Sequence, residues 1–168
     1  MIELSGISKT YAKSDRKAVD SLSLTIPDGR IFGFLGPNGA GKTTTIRMLC
    51  GALEPSEGAI LIDGIPMREK PLAAKRRIGL VHDNPELFNR LKAHEYLDFV
   101  SDVFGVSTPE RRARVEEYAA RFSLSDSIGS PIGSLSRGMK QKLGIIASLI
   151  HDPHNWVLDE PMVGLDPQ

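Results

Sequence analysis

This chain of 168 residues has a single cysteine, no long apolar run and no excess of charge of either sign. The one cysteine, Cys50, cannot form an internal disulfide, which fits a reducing compartment. The longest apolar run, around 143–150, is far shorter than the roughly 20 residues of a membrane span, and no signal peptide is visible. The 21 basic and 21 acidic residues balance, so nucleic acid is not an expected partner.

Repeats and low-complexity segments are also absent, and the chain instead alternates strand and helix patterns. Alternating or short apolar runs predict strands at 2–7, 18–26, 30–35, 59–62, 78–81 and 156–158. Helical periodicity predicts helices at 42–50, 93–104, 108–122 and 136–150. This order favours an α/β core at about 1–89 and 134–168, with a helical segment inserted at about 90–133.

Side-chain patterns predict where some of these helices begin and end. Thr108 is expected to cap the helix that follows it, because Pro109 suits the first helical position. Gly51 and Gly105 are expected to end the helices at 42–50 and 93–104.

Two helices carry an apolar stripe that would face a core. The stripe of the helix at 93–104 consists of Leu97, Val100, Val103 and Phe104. The stripe of the helix at 136–150 consists of Leu143, Ile146, Ala147 and Ile150.

A glycine-rich loop lies between the predicted strand at 30–35 and the predicted helix at 42–50. Residues 36–43, here called the phosphate loop, have the glycine, lysine and hydroxyl spacing of a nucleoside triphosphate-binding motif. Lys42 is expected to neutralise the β- and γ-phosphates during catalysis, and Thr43 to bind Mg²⁺. The residues expected to hold the nucleotide here are Gly36, Pro37, Asn38, Gly39, Ala40, Gly41, Lys42, Thr43 and Thr44.

Two acidic residues follow the predicted strand at 156–158. A carboxylate at a strand end beside a phosphate loop can hold Mg²⁺, and a second one can polarise the attacking water. Asp159 is therefore expected to bind the metal and Glu160 to act as the catalytic base. The alternative is an acidic strand end that only faces solvent.

A third motif, here called the signature segment, opens the helix predicted at 136–150 and consists of Leu135, Ser136, Arg137, Gly138 and Met139. With the phosphate loop before it and the acidic pair after it, the chain resembles an ABC transporter ATPase over essentially its whole length. The continuation Gly-Met-Lys-Gln is similar to cassettes of bacterial ABC-2-type exporters.

The resemblance implies a P-loop NTPase core of the ABC ATPase type, with an antiparallel β-subdomain and an inserted α-helical subdomain. It further implies that the signature segment contacts ATP bound by a second cassette, so that two cassettes clamp ATP head to tail. Tyr11 would stack on adenine, and Asp166 would lie in a segment that crosses to the partner. Simpler alternatives are a helix cap for Ser136, a core or surface tyrosine for Tyr11, and a turn residue for Asp166.

The chain departs from the family pattern at three places. Asp83 stands where the family has a magnesium-contacting glutamine; it is expected to serve metal binding and catalysis, or else only to begin a turn. Met162 and Val163 replace a Thr-Ser pair. The chain stops at Gln168, before the family's γ-phosphate histidine, so the single ABC ATPase domain at 1–168 is expected to be incomplete at its C-terminus.

The favoured function is the ATP-binding subunit of an ABC transporter, using ATP and Mg²⁺. Hydrolysis in a homo- or heterodimer of cassettes would power transport, with export as the favoured direction, through separate integral-membrane permease subunits. The expected location is cytoplasmic, against the inner face of the cell membrane. The alternatives are a soluble, non-transport ABC-type ATPase acting on nucleic acid or the ribosome, and an ATP-binding module with impaired hydrolysis.

Overall fold

The computed structural model describes residues 1–12, 16–81 and 88–159. The chain divides into two compact units, Met1–Ile78 and Gly79–Gln168. The elements of the first unit are the strands β1 (Ile2–Thr10), β2 (Lys17–Ile26), β3 (Glu57–Ile62) and β4 (Ile65–Pro66), and the helices α1 (Lys42–Leu49) and α2 (Pro71–Lys75).

An antiparallel sheet with the order β2-β1-β3-β4 forms the first unit. On β1, Leu4 lies opposite Leu24 of β2 and Ile60 of β3, so the pleat gathers apolar side chains on one face. Asp63 and Gly64 connect β3 to β4 with φ of 52° and 73°, as a two-residue primed hairpin turn requires. The predicted strands at 2–7, 18–26 and 59–62 are confirmed.

Helix α1 buries Met48 and Leu49 and contacts β2. Gly51 follows the helix with a φ of 65°, and its N–H donates to the Met48 carbonyl at 3.0 Å. This is the left-handed glycine stop that the sequence predicts, and the predicted helix at 42–50 is confirmed to within one residue.

The strand predicted at 30–35 is wrong: these residues belong to no strand, and Ile31 and Leu35 are almost fully exposed at 105% and 93%. A strand needs a hydrogen-bonded neighbour, and the described sheet of this unit runs from β2 to β4 without including the segment. Apolar composition alone therefore did not decide its conformation.

The second unit is mainly helical. Strands β5 and β6 form a two-stranded sheet, and β5 begins at the last residue of the first unit. None of the helices in the described ranges is long and apolar enough to cross a bilayer. The elements are β5 (Ile78–Val81), α3 (Ala93–Phe104), α4 (Thr108–Arg121), α5 (Arg137–Leu149), β6 (Asn155–Leu158) and the 3-10 turns Ser125–Ser127 and Ile132–Ser134.

One apolar cluster holds α3, α5 and the segments around them together. The buried stripe predicted on α5 is confirmed, whereas on α3 Val103 is exposed and Ser101 is buried instead. Ser101 can lie inside because its hydroxyl donates to the Leu97 carbonyl at 2.7 Å. The buried members are Ala93, Leu97, Leu124, Ile132, Leu135, Leu143, Ile146, Ala147 and Ile150. The subdomain boundaries at 90–133 stay a prediction.

The N-cap of α4 lies one residue before the predicted cap. Ser107, not Thr108, is the N-cap, so Pro109 occupies the second helical position. The Ser107 hydroxyl donates to the Glu110 carboxylate at 2.6 Å, and the Ser107 N–H donates to the same group at 3.3 Å. A serine with glutamate three residues later fits this arrangement better than the Thr-Pro pair does.

Candidate nucleotide-binding site

Gly41 of the phosphate loop cannot be replaced by another residue without strain. Gly41 is the N-cap of α1 with φ of 87°, a conformation that side chains disfavour. A Cβ at this position would lie 2.4 Å from the Ala18 carbonyl oxygen and 3.1 Å from the Val19 side chain. The loop therefore closes directly against β2, which forms its back wall.

The N-terminus of α1 keeps its backbone donors available. No side chain among the described residues caps this helix, because Gly41 has none to offer. The Gly41 carbonyl instead accepts the Thr45 N–H at 2.8 Å and the Thr45 hydroxyl at 3.0 Å. The N–H groups of the first turn, from Lys42 to Thr44, consequently point towards the loop, where a helix N-terminus favours an anion.

Lys42 directs its ammonium back into the curve of the loop. Its Nζ donates to the Gly36 carbonyl at 2.6 Å and to the Pro37 carbonyl at 3.1 Å. The Ala40 N–H closes the loop on the Pro37 carbonyl at 3.2 Å. A positive charge and a row of N–H donors thus face the same exposed space, as phosphate binding requires.

Tyr11 lies beside this helix. Its hydroxyl is 3.2 Å from the Thr44 hydroxyl, although the two residues are 33 positions apart in the chain. The tyrosine side chain is 42% exposed, so its ring has a solvent-facing surface. The fold therefore places Tyr11 next to Thr44, which directly follows the phosphate loop; both were predicted to hold the nucleotide.

The residues predicted to bind metal and to act in catalysis belong to both units or lie outside the described residues. Thr43 is exposed on the first turn of α1 in the first unit. Asp159 follows β6 in the second unit, half-buried, with its N–H donating to the Val81 carbonyl at 2.9 Å. Asp83, Glu160 and Asp166 lie outside the described residues.

The signature segment forms the start of α5. Ser136 is the N-cap, and its hydroxyl oxygen accepts the Met139 N–H at 3.2 Å. Its role as a helix cap is thus confirmed, and the hydroxyl retains a proton to donate elsewhere. Ser136 and Arg137 are exposed, whereas Leu135 is buried in the apolar cluster. The polar side chains of the signature segment are therefore accessible, while Leu135 fixes the segment to the apolar cluster.

Sequence reasoning missed several residues that hold these motifs in place. The Asn89 carbonyl accepts the N–H of Gly133, which precedes α5, at 2.9 Å. Its side-chain oxygen accepts from the ammonium of Lys140, which lies within α5, at 3.3 Å. At the phosphate loop, the Ala18 carbonyl lies close against Gly41, and Thr45 donates its N–H and its hydroxyl to the Gly41 carbonyl. The Thr-rich start of α1 is a signal for Thr45, whereas Ala18 and Asn89 carry no local pattern because their contacts are long-range.

Known proteins resemble this chain in sequence. Residues 19–163 match the family described as ABC transporter. The ABC transporter ATP-binding protein NatA of Bacillus subtilis is 40% identical over 169 residues, covering 99% of this chain and 69% of NatA. The Nod factor export ATP-binding protein I of Sinorhizobium fredii is 39% identical over 166 residues, which is 99% of this chain and 48% of that protein. The chain thus spans only about half the length of some of the relatives it matches.

Solved structures of ABC transporter cassettes have the same fold as this chain. The ATP-binding subunit of an ABC transporter superposes with a TM-score of 0.92 at 30% identity, over 99% of this chain and 68% of that one. The dimeric cassette MJ0796, solved in a post-hydrolysis state with ADP and Pi, gives a TM-score of 0.88 at 26% identity over 99% and 76%. The fold class and the family resemblance inferred from the motifs are both confirmed.

Proposed function

The chain belongs to the ABC transporter family of ATPases, and on that premise we propose that it is a transporter's ATP-binding subunit that binds and hydrolyses Mg-ATP. The observation that carries the proposal is the start of α1. A helix N-terminus without a side-chain cap, a loop that only glycine can close and the Lys42 ammonium all face one exposed space. These features suit a polyphosphate better than a neutral ligand.

Roles within the chain follow from the chemistry of each side chain. Lys42 and the first-turn N–H groups would bind the phosphates, and Tyr11 would support the base. Bound Mg²⁺ would neutralise phosphate charge; Thr43, Asp159 and Asp83 are proposed to hold it, all three having oxygen donors. Glu160 would orient the attacking water and accept its proton.

A second cassette would complete the site, because Ser136 retains a proton to donate and lies exposed at a helix N-terminus. The signature segment would then bind the γ-phosphate held by the partner, and Asp166 would contact that partner. The dimeric state of MJ0796 supports this arrangement, since that cassette shares the fold.

Membrane permease subunits are the proposed transport partners, with this chain on the cytoplasmic side of the membrane and no nucleic-acid partner. Phe88 and Phe99 pack edge to face at 5.9 Å and stay exposed together with Val103, leaving apolar side chains along α3 for contact. Another similar solved structure, cbiO1 from Clostridium perfringens, is part of the ABC transporter complex cbiONQ, and the relative from Sinorhizobium fredii is named for Nod factor export. Export is therefore the proposed direction.

A second candidate function is an ATP-binding module with impaired hydrolysis. Met162 and Val163 replace a hydroxyl pair of the family, and Asp83 replaces a glutamine. If the second candidate is right, the protein binds ATP but shows negligible turnover, and Glu160→Gln changes nothing. If the first is right, Glu160→Gln abolishes turnover while ATP binding persists.

The test of the nucleotide site is ATP affinity of the Lys42→Ala variant. Losing a charge-assisted contact to phosphate should weaken ATP binding by about 10- to 100-fold. Arg47→Ala is the matched control, because it removes a positive charge from the last turn of the same helix. Equal affinities for Lys42→Ala and Arg47→Ala would refute a phosphate site at α1.

A further inference from the structure

We infer that the hydrogen bond between Tyr11 and Thr44 is a positioning contact that sets the base-binding ring relative to the phosphate loop. The inference rests on the proposed function, and it assigns to Thr44 a role through the tyrosine in addition to any contact with phosphate. The hydroxyl oxygens of the two residues are 3.2 Å apart, and either one can be the donor.

The backbone beneath Tyr11 is anchored separately from its side chain. At the end of β1, the Thr10 N–H donates to the Ser56 hydroxyl at 3.3 Å, and the Lys9 ammonium donates to the Glu54 carbonyl at 2.5 Å. These contacts hold the strand end to the segment that follows α1. Neither contact involves the Tyr11 side chain, whose hydroxyl bonds to Thr44.

Thr44 is well placed to make this link because it is the third residue of α1. Its backbone N–H belongs to the first turn, where phosphate is proposed to bind, and its side chain contacts the tyrosine hydroxyl. The bond ties the distal edge of the ring and leaves ring surface exposed for stacking. A nucleotide with its phosphates at α1 thus meets a ring whose orientation is already set, which reduces the entropy lost on binding.

The experiment is a double-mutant cycle on ATP affinity. Tyr11→Phe keeps the ring and removes its hydroxyl, and Thr44→Val keeps the branched shape and removes the other hydroxyl. We expect each single variant to bind ATP about fivefold more weakly, as the loss of one hydrogen bond predicts. The double variant should bind ATP no more weakly than the single variant with the lower affinity. Thr44→Ser, which keeps the hydroxyl, should bind ATP as tightly as the unaltered chain. Losses that multiply in the double variant would overturn the inference.

Tripolyphosphate separates this inference from the proposed function. It has the phosphates without the base, so Tyr11→Phe should reduce its affinity far less than that of ATP. Equal losses for both ligands would mean that the bond only shapes the phosphate loop, and the inference would be wrong. Unchanged ATP affinity in Lys42→Ala would instead refute the phosphate site itself, so the two failures are distinguishable.

Discussion

The helices α1 and α5 begin in opposite ways. Helix α1 starts at Gly41, whose φ of 87° and missing side chain leave the first-turn N–H groups uncapped. Helix α5 starts at Ser136, whose hydroxyl accepts the Met139 N–H. A side-chain cap stabilises a helix by about 1 kcal/mol, so α1 forgoes stability that α5 retains. The first-turn N–H groups of α1 are therefore left without a side-chain cap, whereas at α5 the Met139 N–H is already satisfied by Ser136.

The largest expected effect follows from adding a methyl group where α1 begins. Gly41→Ala combines an unfavourable positive φ with a contact of 2.4 Å to the Ala18 carbonyl, and should destabilise the protein by about 3 kcal/mol. Gly39→Ala is the control, because its φ is 80° but a Cβ would meet nothing within 4 Å. That variant should lose only about 1 kcal/mol. Chemical denaturation measures both, and equal losses would contradict the close approach to β2.

The next effect concerns the other end of α5. A Cβ on Gly79 of β5 would lie 2.3 Å from the Ser148 carbonyl and 2.7 Å from Pro153. Gly79→Ala should therefore cost about 2 kcal/mol, since backbone must move to admit the methyl group. Gly129→Ala meets nothing within 4 Å and should be nearly neutral. A shift in the denaturation midpoint for Gly129→Ala as large as for Gly79→Ala would contradict this account.

A smaller effect separates the two roles of Ser136. Ser136→Ala should destabilise the protein by about 1 kcal/mol through loss of the cap. Ser136→Asp caps a helix as well as serine does but has no proton to donate, so its stability should match that of the unaltered chain. If the signature segment also binds phosphate in a dimer, Ser136→Asp should still lose steady-state ATPase activity. Full activity in that variant would leave Ser136 with the capping role only.

The smallest effect is the pH dependence of the cap on α4. Hydrogen bonds from the Ser107 side chain and backbone hold the pKa of the exposed Glu110 below its ordinary value. A lowered folded-state pKa means that the stabilisation is complete above the unfolded-state pKa and is lost as pH falls through the folded-state value. The stability difference between the unaltered chain and Glu110→Gln should thus shrink from pH 7 towards pH 3. A constant difference would argue against the carboxylate as the acceptor.

Much of the local structure was predictable, with informative exceptions. The helix at 93–104 and its stop at Gly105 match the prediction, because periodicity and a terminal glycine act over a few residues. The exposed segment at 30–35 and the exposed Val103 did not match, because burial depends on which distant elements pack nearby. The cap of α4 shifted to Ser107 because two adjacent hydroxyl residues compete for one position.

The sequence by itself determined the family, because each motif can be identified from a few consecutive residues and the motifs follow one another in a fixed order. It also determined most helix bounds, because these depend on residues close along the chain. Only the tertiary structure decided that β2 backs the phosphate loop at Gly41 and that Tyr11 reaches Thr44. Tertiary structure also decided that Asn89 holds the start of α5. Such contacts join residues tens of positions apart, and they form only when sheet order and helix packing bring those positions together.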